Sequence, residues 1–241
     1  MNFIKYFIFE IHLRFRNPSQ LFFSFAFPIF LMFAFASSFG KTIPHYIENN
    51  IANIMMYSVL SASLTSLSVQ ISEYQSGKIY SLFSQRGIRR SVYITAQILS
   101  FMCIIFISTL SIMLIAHFAY SYTIPSVQKL LIFYGKLYLY SIPFYFLAFI
   151  IGITSKNTTT ASAVAMPVMF VSFFFSGMMI PLSQLTGGIQ NIAHHFFLTS
   201  LISDLTHTLT SHYTVIPNWF IVQISILSLI IAAAIVSYRN K

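Results

Sequence analysis

Residues Ile94–His117 read ITAQILSFMCIIFISTLSIMLIAH, a stretch without one Asp, Glu, Lys or Arg. About 20 such residues in a helix cross the roughly 30 Å hydrocarbon core of a bilayer, and apolar strands of soluble proteins are much shorter. The stretch therefore predicts a membrane-spanning helix. Working outward, further apolar runs occupy Leu21–Phe39 and Asn53–Ile71 before it, and Leu137–Ile153, Ala161–Ile180 and Asn218–Tyr238 after it. The whole chain has the same character. Its 241 residues are 57% hydrophobic and 7% charged, with a mean hydropathy of +0.78, whereas soluble domains carry about 25% charged residues. So few charges cannot cover a globule in water. The fold class read from the sequence is all-α integral membrane, six transmembrane helices in a single domain over 1–241. The first run is too long for a cleaved signal peptide, whose apolar core is about 7–15 residues.

A net charge of +9 would raise nucleic acid as a partner in a soluble protein, but here the basic residues are scattered between apolar runs and mark topology instead. With the amino terminus inside, Lys5, Arg14, Arg16, Lys78, Arg86, Arg89, Arg90, Lys156, Arg239 and Lys241 fall in cytoplasmic segments, and only Lys41, Lys129 and Lys136 fall outside. Both termini are expected in the cytoplasm of a multi-pass cell-membrane protein. The lone Cys103 excludes an intramolecular disulfide.

Three segments lie outside the runs. In 1–17, Phe3, Ile4, Phe7, Ile8, Ile11 and Phe15 share one helical face, which predicts an amphipathic helix in the cytoplasmic interface, broken by Asn17-Pro18. The segment 72–93 is a cytoplasmic loop whose Tyr74, Ile79, Leu82 and Phe83 would stand in water unless a partner or the lipid covers them. The segment 181–217 is outside, and Ile189, Ile192, Phe196, Leu201, Leu205 and Leu209 recur at helical spacing within it. Its other face is polar, so it is expected to form an outer lid or a re-entrant helical segment before the last span.

The acids Glu10, Glu48, Glu73 and Asp204 all fall outside the apolar runs, and no run interior holds a basic residue. A carboxylate relay for ions is thus not expected. The chain has no G-x-x-x-x-G-K-[ST] loop and no G-x-S-x-G turn, so it is not expected to be an enzyme, and any driving energy must come from another chain. Ser58, Ser61, Ala62, Thr65 and Ser66 place small side chains along one stretch of the second run; they are read either as a candidate translocation path or as close helix packing. His194, His195, His207 and His212 lack metal-ligand spacing, and no metal site is expected. An intramembrane enzyme with His117, His194 or His195 as base would also need paired acids, which are missing.

The arrangement resembles the type-2 ABC-transporter permeases, the membrane subunits of ATP-binding-cassette exporters. The resemblance rests on Arg16-Asn17-Pro18 closing the amphipathic start, Pro28 and Gly40 in and after the first run, Glu73-x-x-x-Gly77 followed by Leu82-Phe83, and Ser176-Gly177 before Pro181. It implies that Glu73 to Arg86 is a coupling helix seated in a groove of a separate ATP-binding subunit, with Glu73, Tyr74, Gly77, Ile79, Leu82, Phe83 and Arg86 at the contact. It further implies a second permease chain, ATP and Mg bound by the partner and no cofactor in this chain, and an outer gate around Gly177, Pro181, Phe196 and Phe197. The cargo expected is amphipathic, drug-like, lipidic or a peptide, moving outward; the alternatives are a polysaccharide or teichoic-acid exporter, or a membrane immunity or assembly factor that moves nothing. Thr186 and Leu198 stand where relatives often carry prolines.

Overall fold

The computed structural model describes residues 3–41, 43–88, 90–179, 185–210 and 219–238. Among them it is helical throughout, without a strand. Helix α1 (Phe3–Phe15) is followed by α2 (Pro18–Phe39), which starts where the Asn17 side chain accepts a hydrogen bond from the Gln20 amide at 3.3 Å and Pro18 occupies the first helical position. Next come α3 (Tyr46–Ser76), the short α4 (Ile79–Gln85), α5 (Arg90–Tyr120), α6 (Val127–Thr154) and α7 (Thr158–Phe175). Two shorter helices, α8 (Gly187–His195) and α9 (Phe197–Leu209), precede α10 (Trp219–Tyr238).

Helices α2, α3, α5, α6 and α7 are long and apolar enough to cross a membrane, and α10 adds a sixth apolar helix of 20 residues. The protein is an all-α multi-pass membrane protein. The spans are unequal in burial: 94% of the most apolar window of α3 is inside the fold against 28% for α2 and 22% for α7. Helix α3 is thus the central post, with α2, α5, α6 and α7 packed around it. At Gly152 of α6 the approach is so close that a Cβ would stand 2.7 Å from the Ile71 side chain of α3, and only glycine permits that crossing.

The structure corrects three expectations. The second span runs on to Ser76, so Glu73 and Tyr74 belong to its last turns and not to a loop. Helix α6 begins at Val127, ahead of the run at Leu137, and therefore contains Lys129 and the 3%-exposed Lys136. The outer amphipathic helix is two helices, broken at Phe196 in extended conformation (φ −70°, ψ 129°). Pro181, Arg89, Arg239, Lys241, His212 and the flanks of the outer segment at 181–184 and 211–217 lie outside the described residues.

Candidate functional site

Helix α1 is amphipathic, yet it turns its polar stripe inward. Tyr6, Glu10 and Arg14, four residues apart and so on one face, are its buried residues, while Phe3, Ile4, Ile8, Phe9 and Phe15 face outward. Water would have selected the opposite orientation; a surrounding that is itself apolar selects this one. Glu10 is 0% and Arg14 1% exposed, paired at 3.5 Å. The Glu10 carboxylate also accepts from Gln70 Nε2 at 3.1 Å and from the Tyr74 hydroxyl at 3.0 Å, both on α3. Arg14 donates to Ser100 Oγ at 2.8 Å and to the Gln97 carbonyl at 3.0 Å on α5, and its guanidinium lies 3.3 Å from the Phe101 ring centroid. Burial pushes the Glu10 carboxyl above its usual range and Arg14 down to about 9, and each charge partly restores the other. The network joins α1, α3 and α5 into one platform.

Helix α4 docks on that platform. Phe83 meets Tyr6 edge-on at 5.1 Å, Tyr93 at 5.5 Å and Tyr74 at 6.4 Å. Tyr80 stacks on Tyr93 at 5.1 Å and donates its hydroxyl to Gln97 Oε1 at 3.4 Å. Of the apolar side chains expected in water, Tyr74 is 4% exposed, Ile79 and Phe83 are half-buried, and Leu82 alone stands out at 52%. The reason for the difference is that the chain supplies its own cover, the inner face of α1. The opposite side of α4 and its flanks, with Glu73, Gly77, Lys78, Leu82 and Arg86, remains exposed. Left-handed backbone at Lys78 (φ 54°) and Gly87 (φ 70°) brackets the helix and reverses the chain at both ends.

Farther along α3, Ser58, Ser61, Ala62, Thr65 and Ser66 are each no more than 3% exposed. Ser61 and Thr65 donate to the carbonyls of Tyr57 and Ser61, one turn earlier. Ser58 meets Ser108 of α5 at 2.9 Å, and Ser66 meets Ser24 of α2 at 3.3 Å. These five residues are packed inside the subunit. Both partners of the Ser24–Ser66 contact sit in π-helical turns, Phe22–Ala26 and Ser61–Leu67, a widened geometry often found where helices must yield.

At the opposite end of the helices from α4, α9 buries Leu198, Leu201, Ile202, Leu205 and Leu209 against α3 and α6. Lys136 of α6 holds Asp204 of α9 at 3.0 Å and Thr208 Oγ1 at 3.1 Å, and the Tyr140 hydroxyl donates to the same carboxylate. Lys129 donates to the Thr210 carbonyl at 2.8 Å beyond the end of α9. Gly177 follows α7 in left-handed backbone (φ 73°), and next to it the Met178 carbonyl accepts the Tyr57 hydroxyl of α3 at 2.5 Å. Phe196 and Phe197 are half-buried, against Phe175 and Phe144 at 6.3 and 6.2 Å. His117 and His195 are bonded to backbone carbonyls, those of Tyr122 and Asn191.

Sequence reading missed the two ion-paired clusters. The signal of the Glu10–Arg14 cluster was present as polar residues spaced at one helical turn: Tyr6, Glu10 and Arg14, then Gln70 and Tyr74, then Gln97 and Ser100. A model of the family described as ABC-2 type transporter matches residues 3–210. No curated protein and no solved structure matches the chain.

Proposed function

Since the chain belongs to the ABC-2 type transporter family, and so is the membrane permease of an ABC transporter, we propose that it is driven by a separate ATP-binding subunit through α4. ATP and Mg are bound by that partner, and this chain contributes the moving part. The observation that carries the reading is the two-sidedness of α4: one side is fastened to the platform through Tyr80 and Phe83, and the other exposes Leu82 between Glu73 and Arg86. A partner groove that takes Leu82 and pairs with the flanking charges suits this surface.

A displacement of α4 pushes on Phe83 and Tyr80, hence on Tyr6, Tyr93 and the Glu10–Arg14 network. That network grips the inner end of α3, whose outer half carries Tyr57 and contacts α9. A stiff central helix with the drive at one end and the outer helices at the other supports alternation between two packings. Gly177, Pro181, Phe196 and Phe197 are proposed as the outer gate. Because the small residues of α3 are packed inside the subunit, the cargo path is proposed to lie between two permease chains, along the less buried α2 and α7. The cargo is proposed to be amphipathic, drug-like, lipidic or peptidic, exported across the cell membrane, with both termini in the cytoplasm.

Copurification of the ATP-binding subunit tests the drive. Leu82→Asp is expected to abolish it while leaving the thermal midpoint of the permease unchanged, since Leu82 is exposed. An unchanged, ATP-hydrolysing complex with Leu82→Asp would overturn the assignment.

A further inference from the structure

The outward half of α1 is itself divided. At 100° per residue, Ile4, Ile8 and Phe15 lie on one strip of it, and His12, Lys5 and Arg16 lie on the adjoining strip, all of them exposed. Among the described residues, none hydrogen-bonds or ion-pairs with the side chains of Lys5, His12 or Arg16. A shallow groove of about 300 Å³ runs along this side, lined by Lys5, Ile8, Phe9, His12, Leu13 and Arg16. The only acid of α1 is Glu10, 0% exposed on the opposite face, so it does not neutralise the groove. At about 1.5 Å rise per residue the cationic strip from Lys5 to Arg16 extends roughly 16 Å.

We propose that this groove is a binding site for anionic phospholipid of the leaflet that α1 meets, the headgroup phosphate lying among Lys5, His12 and Arg16. The charge requires an anion, and the apolar strip directly beside it requires hydrocarbon; a glycerophospholipid offers both in one molecule, whereas an acidic peptide or free phosphate offers only the first. The helix is then held at the depth where its cations meet phosphates and Ile4, Ile8 and Phe15 meet acyl chains. The face of α1 behind the lipid is the one that carries Tyr6, Glu10 and Arg14, so the bound lipid steadies the platform on which α4 rests. The site does not depend on what α4 binds, and the two assignments fail separately.

The test uses the full chain extracted from nanodiscs of phosphatidylcholine with phosphatidylglycerol, with retained lipids counted by native mass spectrometry. Retention of phosphatidylglycerol over phosphatidylcholine is expected, with about a fivefold weakening for each of Lys5→Gln and Arg16→Gln. Lys41→Gln, which removes an exposed cation beyond the other end of α2, is expected to change nothing, and inorganic phosphate is expected not to displace the lipid. Equal retention in wild type, Lys5→Gln and Arg16→Gln overturns the proposal. So does displacement by phosphate alone, or loss of a copurifying protein with lipid retention unchanged, which would assign the strip to a protein partner. If Arg16→Gln fails to fold, Lys5→Gln, in the first turn of α1, decides the matter.

Discussion

Two buried ion pairs among the described residues are built differently. Glu10 and Arg14 sit on one helix, four residues apart and sealed from solvent, and their remaining hydrogen bonds reach α3 and α5. Lys136 and Asp204, at the other end of the helices, sit on different elements, 68 residues apart, and Asp204 is 15% exposed. The first pair lies within α1, and amides and hydroxyls of α3 and α5 fasten both of its charges to their neighbours. The charges of the second pair are themselves the fastening between α6 and α9, and separating the helices separates the pair. On the proposed function, the platform lies beside the proposed drive at α4 and the strap beside the proposed gate, as a transmission between them requires.

The largest effect that would break this contrast is expected from Arg14→Ala. Removing one partner of a sealed pair leaves the other charge buried and uncompensated, a loss of about 3–5 kcal/mol. Thermal unfolding in detergent should show it, together with loss of the wild-type protection of α4 from hydrogen exchange. The double variant Glu10→Gln with Arg14→Met should cost less than the sum of the single changes, since no lone charge remains. A mild, additive pair would mean that the platform is not one unit.

Asp204→Asn should cost less, about 1–3 kcal/mol, because the site is partly open and the amide can still accept from Tyr140. Its mark should be local: faster hydrogen exchange in α9, with α1 and α4 unchanged. Exchange that rises equally at both ends would erase the distinction between platform and strap.

What could be read from the amino acids follows the range of the forces involved. Hydropathy is a local sum, so α5 and α10 stand close to their apolar runs, Ile94–His117 and Asn218–Tyr238. The start of α6 was hidden because Lys129 and Lys136 interrupt the run, and their partners, Thr210 just past α9 and Asp204 within it, come from far along the chain. The orientation of α1 was hidden for a similar reason. Its period is plain, but whether the stripe of Tyr6, Glu10 and Arg14 faces water or protein depends on Gln70, Tyr74, Gln97 and Ser100, which only the fold brings alongside. Tyr74 and Phe83, read as standing in water, are covered for the same reason: Glu10 and Tyr6 of α1 and Tyr93 of α5 come alongside them only in the fold. The break between α8 and α9 at Phe196 has no glycine or proline to announce it; it lets Phe197 and Leu198 begin a new helix whose apolar side faces α3 and α6.

The central claim is that this chain is moved by another and does not drive itself. Transport of an amphipathic fluorescent dye in proteoliposomes tests it most directly, with the permease alone, with its ATP-binding subunit, and with that subunit plus Leu82→Asp. Dye movement is expected only when the wild-type permease, the subunit and ATP are together. Movement by the solitary permease, or undiminished movement with Leu82→Asp, would contradict it.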